Sequence, residues 1–157
     1  VRTDCLAFSL DLVSERPVLT KPPKTIFIEM ATGIVEHDGK ILIQKRKTTG
    51  VWANLWEFPG GRLEPGETPE IALVREYQEE TELAVGNLKK ITTVQHSYTI
   101  YRVTLHCYFC SLLDGRYEPV LHGAQEYRWV ESKELSNYAF PAGHRKLIQF
   151  LQKRFSL

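Results

Sequence analysis

Residues 55–83 read LWEFPGGRLEPGETPEIALVREYQEETEL, and this stretch predicts how the centre of the chain folds. Thr68-Pro69 is a typical helix start, an N-cap residue followed by proline at the first helical position. Each helical residue advances by about 100°, so Glu76, Glu79 and Glu80 share one arc. We expect this arc to lie opposite an apolar stripe made by three residues of the same helix, Ile71, Val74 and Tyr77.

The glutamate arc has two interpretations. Like charges at this spacing repel one another by roughly a few tenths of a kcal/mol per pair, which a solvated acidic face would tolerate. The arc follows a glycine-rich turn that contains Glu67, and this context favours a metal site instead. Converging carboxylates are suited to Mg²⁺ or Mn²⁺, ions that neutralise phosphate oxygens and activate water.

Alternating and apolar runs elsewhere predict strands on both sides of this helix. Asp38-Gly39 predicts a hairpin turn, and a closing helix follows Pro141. This element order predicts an α+β protein built as an α/β/α sandwich. The predicted strands are residues 26–36, 40–46, 90–99, 101–112 and 126–130.

The central stretch resembles the Nudix box, a pattern of one glycine, spaced glutamates and a helical Arg-Glu-x-x-Glu-Glu run. Two positions depart from that pattern: Tyr77 fills an aliphatic slot, and Glu82 stands where a left-handed C-cap favours glycine. The residues in register are Gly61, Glu67, Arg75, Glu76, Glu79, Glu80 and Leu83.

The resemblance implies a Nudix fold with a mixed β-sheet and a Mg²⁺ or Mn²⁺ cofactor. Glu76, Glu79 and Glu80 would bind the metal with the Gly60 carbonyl, and Glu76 would polarise the attacking water. Glu67 and Arg75 would brace the loop and the glutamates. Glu126 either adds a ligand from a neighbouring strand or is an exposed strand-end glutamate.

Further segments resemble the C-terminal domain of the A/G-specific adenine DNA glycosylases, the MutY family. They are Cys5 with the linker after it and residues 45–61, 94–108 and 129–151. This resemblance implies recognition of 8-oxoguanine opposite adenine in DNA during base excision repair. The base-binding residues would be Trp52, Phe58, Tyr98, Thr99, Phe140 and His144.

The main expectation is therefore a DNA-recognition domain without glycosylase activity of its own. Base excision, and a 4Fe–4S cluster that needs four thiolates, would belong to a preceding domain. The alternative is a MutT-like Nudix hydrolase acting on a small nucleotide, which the retained carboxylates favour. Some of these residues also have simpler interpretations. Packing in the core would explain Trp52 and Phe58, and an exposed place on a hairpin would explain Tyr98. The basic run Lys45, Arg46 and Lys47 is either solvated surface or a phosphate contact.

Composition sets the remaining expectations. The net charge of +1 gives no strongly basic field that would indicate binding to nucleic acid. Three cysteines make no disulfide framework, and Cys107-x-x-Cys110 lies within a predicted strand, where residues three apart face opposite sides. We expect a monomer in the cytoplasm, at the bacterial nucleoid, with no membrane partner. The start at Val1 suggests an excised piece: residues 1–25 as a tail and Pro/Lys-rich linker, and 26–157 as the Nudix domain.

Overall fold

The computed structural model describes residues 24–155, a β-sheet with one α-helix on each face. The predicted tail and linker, including Cys5, lie outside these residues apart from Lys24 and Thr25. The helices are α1, Pro69–Thr81, and α2, Ala142–Phe155, with a short 3₁₀ helix at Ser132–Asn137. The strands are β1 Ile26–His37, β2 Lys40–Lys45, β3 Trp56–Glu57, β4 Gly60–Arg62, β5 Val85–Tyr98, β6 Tyr101–Leu112 and β7 Glu126–Val130.

Strand β1 is the centre of the sheet, whose main order is β3-β2-β1-β6-β5. It pairs in parallel with β6 and antiparallel with β2 and β4, while β7 joins the sheet beside β2. Asp38 and Gly39 both have positive φ, 53° and 76°, as a type I′ hairpin turn requires. The sheet is therefore mixed, and the predicted fold class is confirmed.

Each face of the sheet has its own apolar core, because neighbouring strand residues point to opposite sides. On the α1 face, Leu73 and Tyr77 pack with Val35 and Leu42. On the α2 face, Leu147 and Leu151 belong to a second cluster. Along β1, Ile34 belongs to the α2 cluster and Val35 to the α1 cluster, so a single strand anchors both layers.

The apolar stripe predicted for α1 is partly wrong. Tyr77 is fully buried, but Ile71 is 58% exposed and Val74 is 40% exposed. The buried face instead uses Ala72 and Leu73, both fully buried. The helix is thus rotated from its expected orientation, with Glu76 against Gly61 and Glu80 hydrogen-bonded to the Gly60 backbone.

Tyr77 fills the aliphatic slot of the Nudix pattern without leaving a buried hydroxyl unpaired. Its hydroxyl donates to the Gly33 carbonyl at 2.6 Å. A Cβ at Gly33 would lie 2.7 Å from Cys110 Sγ and 3.1 Å from the Tyr77 ring. The glycine therefore makes room for the larger side chain.

Candidate functional site

Two glycines let β4 lie close to its neighbours, to helix α1 at Gly61 and to strand β1 at Gly60. A Cβ at Gly61 would overlap the Glu76 carboxylate, and one at Gly60 would overlap the backbone of Ala31. The preceding turn is held by the Thr32 hydroxyl, which donates to the Phe58 carbonyl at 3.0 Å. Glycine at both positions thus brings backbone and carboxylate into direct contact.

Arg75 ties the acidic residues before and along α1 together. Its guanidinium donates to the Glu67 carboxylate at 2.6 and 2.8 Å, and to Glu76 and Glu79 at 3.3 and 3.1 Å. The Arg75 hydrogen bonds lower the pKa of Glu67 to about 2, with help from the Glu64 amide. This geometry supports the bracing expected of Glu67 and Arg75, whose catalytic role stays a prediction.

The carboxylates of α1 face a cavity of about 420 Å³, which we call the carboxylate cavity. Glu57, only 12% exposed, adds a fourth carboxylate from β3. The Gln44 amide donates to Glu57 at 3.0 Å and to Glu80 at 3.2 Å, linking the two. The wall consists of Gln44, Arg46, Lys47, Thr49, Glu57, Glu76, Glu79, Glu80, His122, Gly123 and Ala124.

Burial makes this cluster hard to ionise completely. Burial, followed by the charges of Glu57 and Glu76, raises the pKa of Glu80 to about 8. Burial also raises the pKa of Glu76, although Arg75 opposes the shift. A group of acids that repel one another in a half-closed cavity is stabilised by a cation.

The donor set fits Mg²⁺ or Mn²⁺, since carboxylate oxygens are the ligands that these hard ions prefer. Within residues 24–155, however, no three His, Cys, Asp or Glu side chains are grouped as a metal site requires. Glu76 and Glu79 point to Arg75 instead. Glu79 is 59% exposed, so it can turn from Arg75 toward the cavity. Gly60 lies beside this group, where it hydrogen-bonds to Glu80 through its backbone.

Glu126 lies at the start of β7, opposite Lys45 of β2. Its carboxylate accepts from Arg128 at 3.3 Å and is 43% exposed. The side chain is not part of the carboxylate-cavity wall. Its role as a metal ligand stays a prediction, and the strand-end placement is the one observed.

A second cavity of about 240 Å³, the aromatic cavity, adjoins the first through Arg46, which lines both. Its aromatic residues are Trp52, Tyr98 and Tyr101, and the ring centroids of Trp52 and Tyr98 are 5.8 Å apart. Trp52 has φ of 61°, a strained conformation for a bulky residue, and strain of this kind often marks a functional site. The lining residues are Ile28, Met30, Arg46, Val51, Trp52, Arg62, Tyr98, Tyr101 and Val103.

Three other predicted base-binding residues form an internal stack. Phe58 packs on Phe140 and His144, with centroids 5.4 and 5.6 Å away, and all three are buried. His144 Nδ1 accepts from the Phe58 amide at 3.3 Å, and burial lowers the pKa of His144 to about 3. Thr99 is exposed in the β5–β6 turn with φ of 50°. The structure thus brings only Trp52 and Tyr98 of the six together at a cavity.

Sequence reasoning missed several residues at these cavities. Glu57 was hidden in an apolar segment, although a charge between Trp56 and Phe58 was a usable signal. Solvated surface was one of the two interpretations of Arg46, but its guanidinium donates to Glu57 at 2.8 Å and lies 5.7 Å from the centre of the Trp52 ring. His122 has no motif around it and enters the cavity wall from a remote loop.

Comparison with known families shows which family the chain belongs to. Residues 30–150 match the model of the NUDIX domain, and they make up most of the chain. The chain belongs to the Nudix family. Three carboxylates of its Nudix box, Glu76, Glu79 and Glu80, line the carboxylate cavity.

Similar proteins include several that are named for the hydrolysis of nucleotides. The chain is 34% identical over 125 residues to an "8-oxo-dGTP diphosphatase" of Haemophilus influenzae, covering 79% of this chain and 90% of that protein. Among solved structures, a MutT protein from Methanosarcina mazei superposes with a TM-score of 0.73 at 20% identity. That match covers 87% of this chain and all of the other, and it supports the Nudix fold.

The glycosylase expectation has weaker support. The adenine DNA glycosylase of Rattus norvegicus is 29% identical over 145 residues, but this chain spans only 27% of its length. The comparisons therefore support the hydrolase alternative better than a DNA-recognition domain. In the described part of the chain, no helix is long and apolar enough to cross a membrane.

Proposed function

We propose that this Nudix chain is a Mg²⁺- or Mn²⁺-dependent hydrolase that cleaves a nucleoside triphosphate to the monophosphate and pyrophosphate. One observation carries the proposal: a cavity with four carboxylates adjoins an aromatic cavity, and Arg46 lines both. Such a pair suits a ligand with a flat base at one end and phosphates at the other. The name of the Haemophilus influenzae relative supports 8-oxo-dGTP as the first substrate to test.

The side chains divide the work between the two ends of this substrate. Trp52 and Tyr98 would stack on the base, since aromatic faces favour flat π-systems. Arg46, which lines both cavities, would contact the phosphate nearest the base. These contacts would hold the phosphate chain along the carboxylate cavity.

The carboxylates would then act on the phosphates and on water. Glu57, Glu76, Glu79 and Glu80 would hold the divalent cation, which offsets phosphate charge and helps to activate water when bound. Glu76 would also polarise the attacking water and accept its proton, because its carboxylate lines the cavity in which the phosphates would lie. Water would form a new P–O bond to one phosphorus of the bridge between the α- and β-phosphates, and its proton would pass to Glu76. The P–O–P bond would break, so that nucleoside monophosphate and pyrophosphate would leave.

The direct test is a pyrophosphate-release assay with 8-oxo-dGTP, dGTP, dATP and CTP, with Mg²⁺ or Mn²⁺ and with a chelator. We expect turnover that requires the cation and falls by about 10³-fold in Glu76→Gln, as for loss of a group that stabilises the transition state. Glu118→Gln makes the same chemical change at an exposed position and should keep full turnover. Equal turnover in Glu76→Gln and the wild type would refute the assignment.

A second candidate function is the recognition domain of an adenine DNA glycosylase. The observation in its favour is the length of that match, which covers 88% of this chain against 79% for the diphosphatase. Binding of an 8-oxoguanine:adenine duplex, measured against an undamaged duplex, separates the two functions. Selective duplex binding without nucleotide turnover would favour the recognition domain.

A further inference from the structure

The loop of residues 113–125 is fastened to the end of helix α1. The Val120 amide donates to the Thr81 carbonyl at 2.9 Å, and the His122 amide donates to the Glu80 carbonyl at 3.2 Å. The Arg116 guanidinium donates to the Glu82 carbonyl at 2.6 Å. These bonds satisfy carbonyls at and just beyond the end of the helix, where intrahelical donors run out. The loop is therefore positioned by the same helical turn that presents Glu79 and Glu80.

Glu82 occupies the position at which the Nudix pattern has glycine. Its φ of 58° lies in the left-handed region, where a side chain costs free energy that glycine avoids. The Glu82 carboxylate lies 2.6 Å from His122 Nε2. A strained residue that makes a specific contact suggests a function for that contact.

His122 in turn reaches the carboxylate cavity and forms part of its wall. Its Nδ1 has no hydrogen-bond partner among residues 24–155, whereas Nε2 is held by Glu82. Arg46 lines both cavities, but His122 lines only the carboxylate cavity. His122 is thus placed to meet phosphates that lie beyond the reach of the base-binding end.

We propose that Glu82 positions His122 to bind the outer phosphates of the triphosphate, which makes His122 a substrate-binding residue and Glu82 a positioning residue. The inference rests on the proposed function of the carboxylate cavity. When both of its ring nitrogens carry protons, an imidazole donates from Nε2 to a carboxylate and from Nδ1 to a phosphate oxygen. If the contact were only a surface ion pair, it would contribute little to stability and nothing to ligand affinity.

Glycine at position 82 gives a sharp test because it suits the left-handed conformation and removes the side chain that carries the carboxylate. Calorimetric titration of the full chain with inorganic tripolyphosphate and Mg²⁺ measures phosphate affinity without turnover. We expect Kd to rise about 5-fold in Glu82→Gly, with an unchanged or higher Tm, and about 10-fold in His122→Ala. The double variant should bind no worse than His122→Ala, since both changes remove one contact. Glu118→Gln, an exposed change in the same loop, is the matched control.

Turnover of 8-oxo-dGTP supplies a second readout, in which KM should rise while kcat changes less than 2-fold. Wild-type Kd in His122→Ala, or no tripolyphosphate binding by the wild-type chain, would overturn the inference. Additive losses in the double variant would overturn the positioning role of Glu82. Absence of nucleotide turnover combined with a His122-dependent tripolyphosphate Kd would refute the proposed function alone. Should Glu82→Gly lower the Tm, His122→Ala still carries the test because it leaves the helix end unchanged.

Discussion

The carboxylate cavity and the aromatic cavity share Arg46 but draw on different parts of the chain. The first takes three of its four acids from two turns of helix α1, which one rigid element holds in place. The second collects Trp52 from the β2–β3 loop and Tyr98 from the end of β5, with apolar residues of β1 and β6 beneath them. Most carboxylates of the phosphate end are therefore set by one helix, whereas the aromatic side chains of the base end come from separate segments.

This difference teaches that the two ends can change independently. A substitution at Trp52, which lines only the aromatic cavity, alters the aromatic wall without moving the helix that holds three of the carboxylates. Loops on a rigid scaffold are the usual place for such variation. Base preference should consequently respond to changes at Trp52 that leave the chemical step intact.

Among changes that test the independence of the two ends, the largest effect is expected from Trp52→Ala, which removes the aromatic face of the base end. Loss of the stacking face and of the cation–π contact with Arg46 should raise KM for 8-oxo-dGTP by about 30-fold. The value of kcat should fall less than 3-fold because the carboxylates stay in place. Steady-state kinetics on the purified chain measures both constants.

Trp52→Phe is the matched control, since it keeps an aromatic face at the same position. It should recover most of the affinity for 8-oxo-dGTP. A large fall in kcat with unchanged KM in Trp52→Ala would show that the two ends are not independent.

The next effect is a change in thermal stability with pH in Glu80→Gln, measured without metal. The folded-state pKa of Glu80, about 8, lies above its ordinary value of 4.5. The resulting stabilisation is fully present below pH 4.5 and is lost as pH rises through about 8. Glu80→Gln removes this titration, so the variant should unfold about 5 °C above the wild type at pH 9 with chelator.

Thermal unfolding followed by circular dichroism at pH 5 and pH 9 checks this expectation. The two proteins should differ little at pH 5, where Glu80 of the wild type is protonated. Added Mg²⁺ at pH 9 should raise the Tm of the wild type more than that of the variant. A wild type that is more stable than Glu80→Gln at pH 9 without metal would contradict the buried-acid account.

The smallest effect is expected from Phe140→Leu. This change tests whether Phe140, one of the predicted base-binding residues, lines a cavity or belongs to the core. Phe140 is 4% exposed and stacks on Phe58, so shortening it should lower stability by about 1 kcal/mol, or roughly 3 °C. KM should stay within 2-fold of the wild type. A marked rise in KM with unchanged Tm would return Phe140 to the base-binding set.

The phosphate end could be predicted from the sequence because its spacing rule is local. Glu76, Glu79 and Glu80 lie within a single helix, whose periodicity places them on one arc whatever the rest of the fold does. The helix start at Thr68-Pro69 is equally local, and the structure has Thr68 as N-cap, accepting from the Ile71 amide at 3.2 Å.

The rest could not be predicted because it depends on contacts between distant segments. The larger apolar residues of α1 were predicted to form its buried face, but Ala72 is buried and Ile71 is exposed. Trp52 and Phe58 lie six residues apart, yet one lines a cavity and the other is core. Which of the two is buried depends on where β1 and α2 lie in the fold, and local residue spacing does not give those positions.

The contact between Tyr77 and Gly33 constrains the order in which this sequence can diverge. A larger residue at position 33 is blocked while Tyr77 and Cys110 fill the space above it. An aliphatic residue at position 77 would remove the hydrogen bond to the Gly33 carbonyl before any other group could replace it. Either change alone passes through a less stable intermediate, so we expect the two positions to vary together among descendants of this chain.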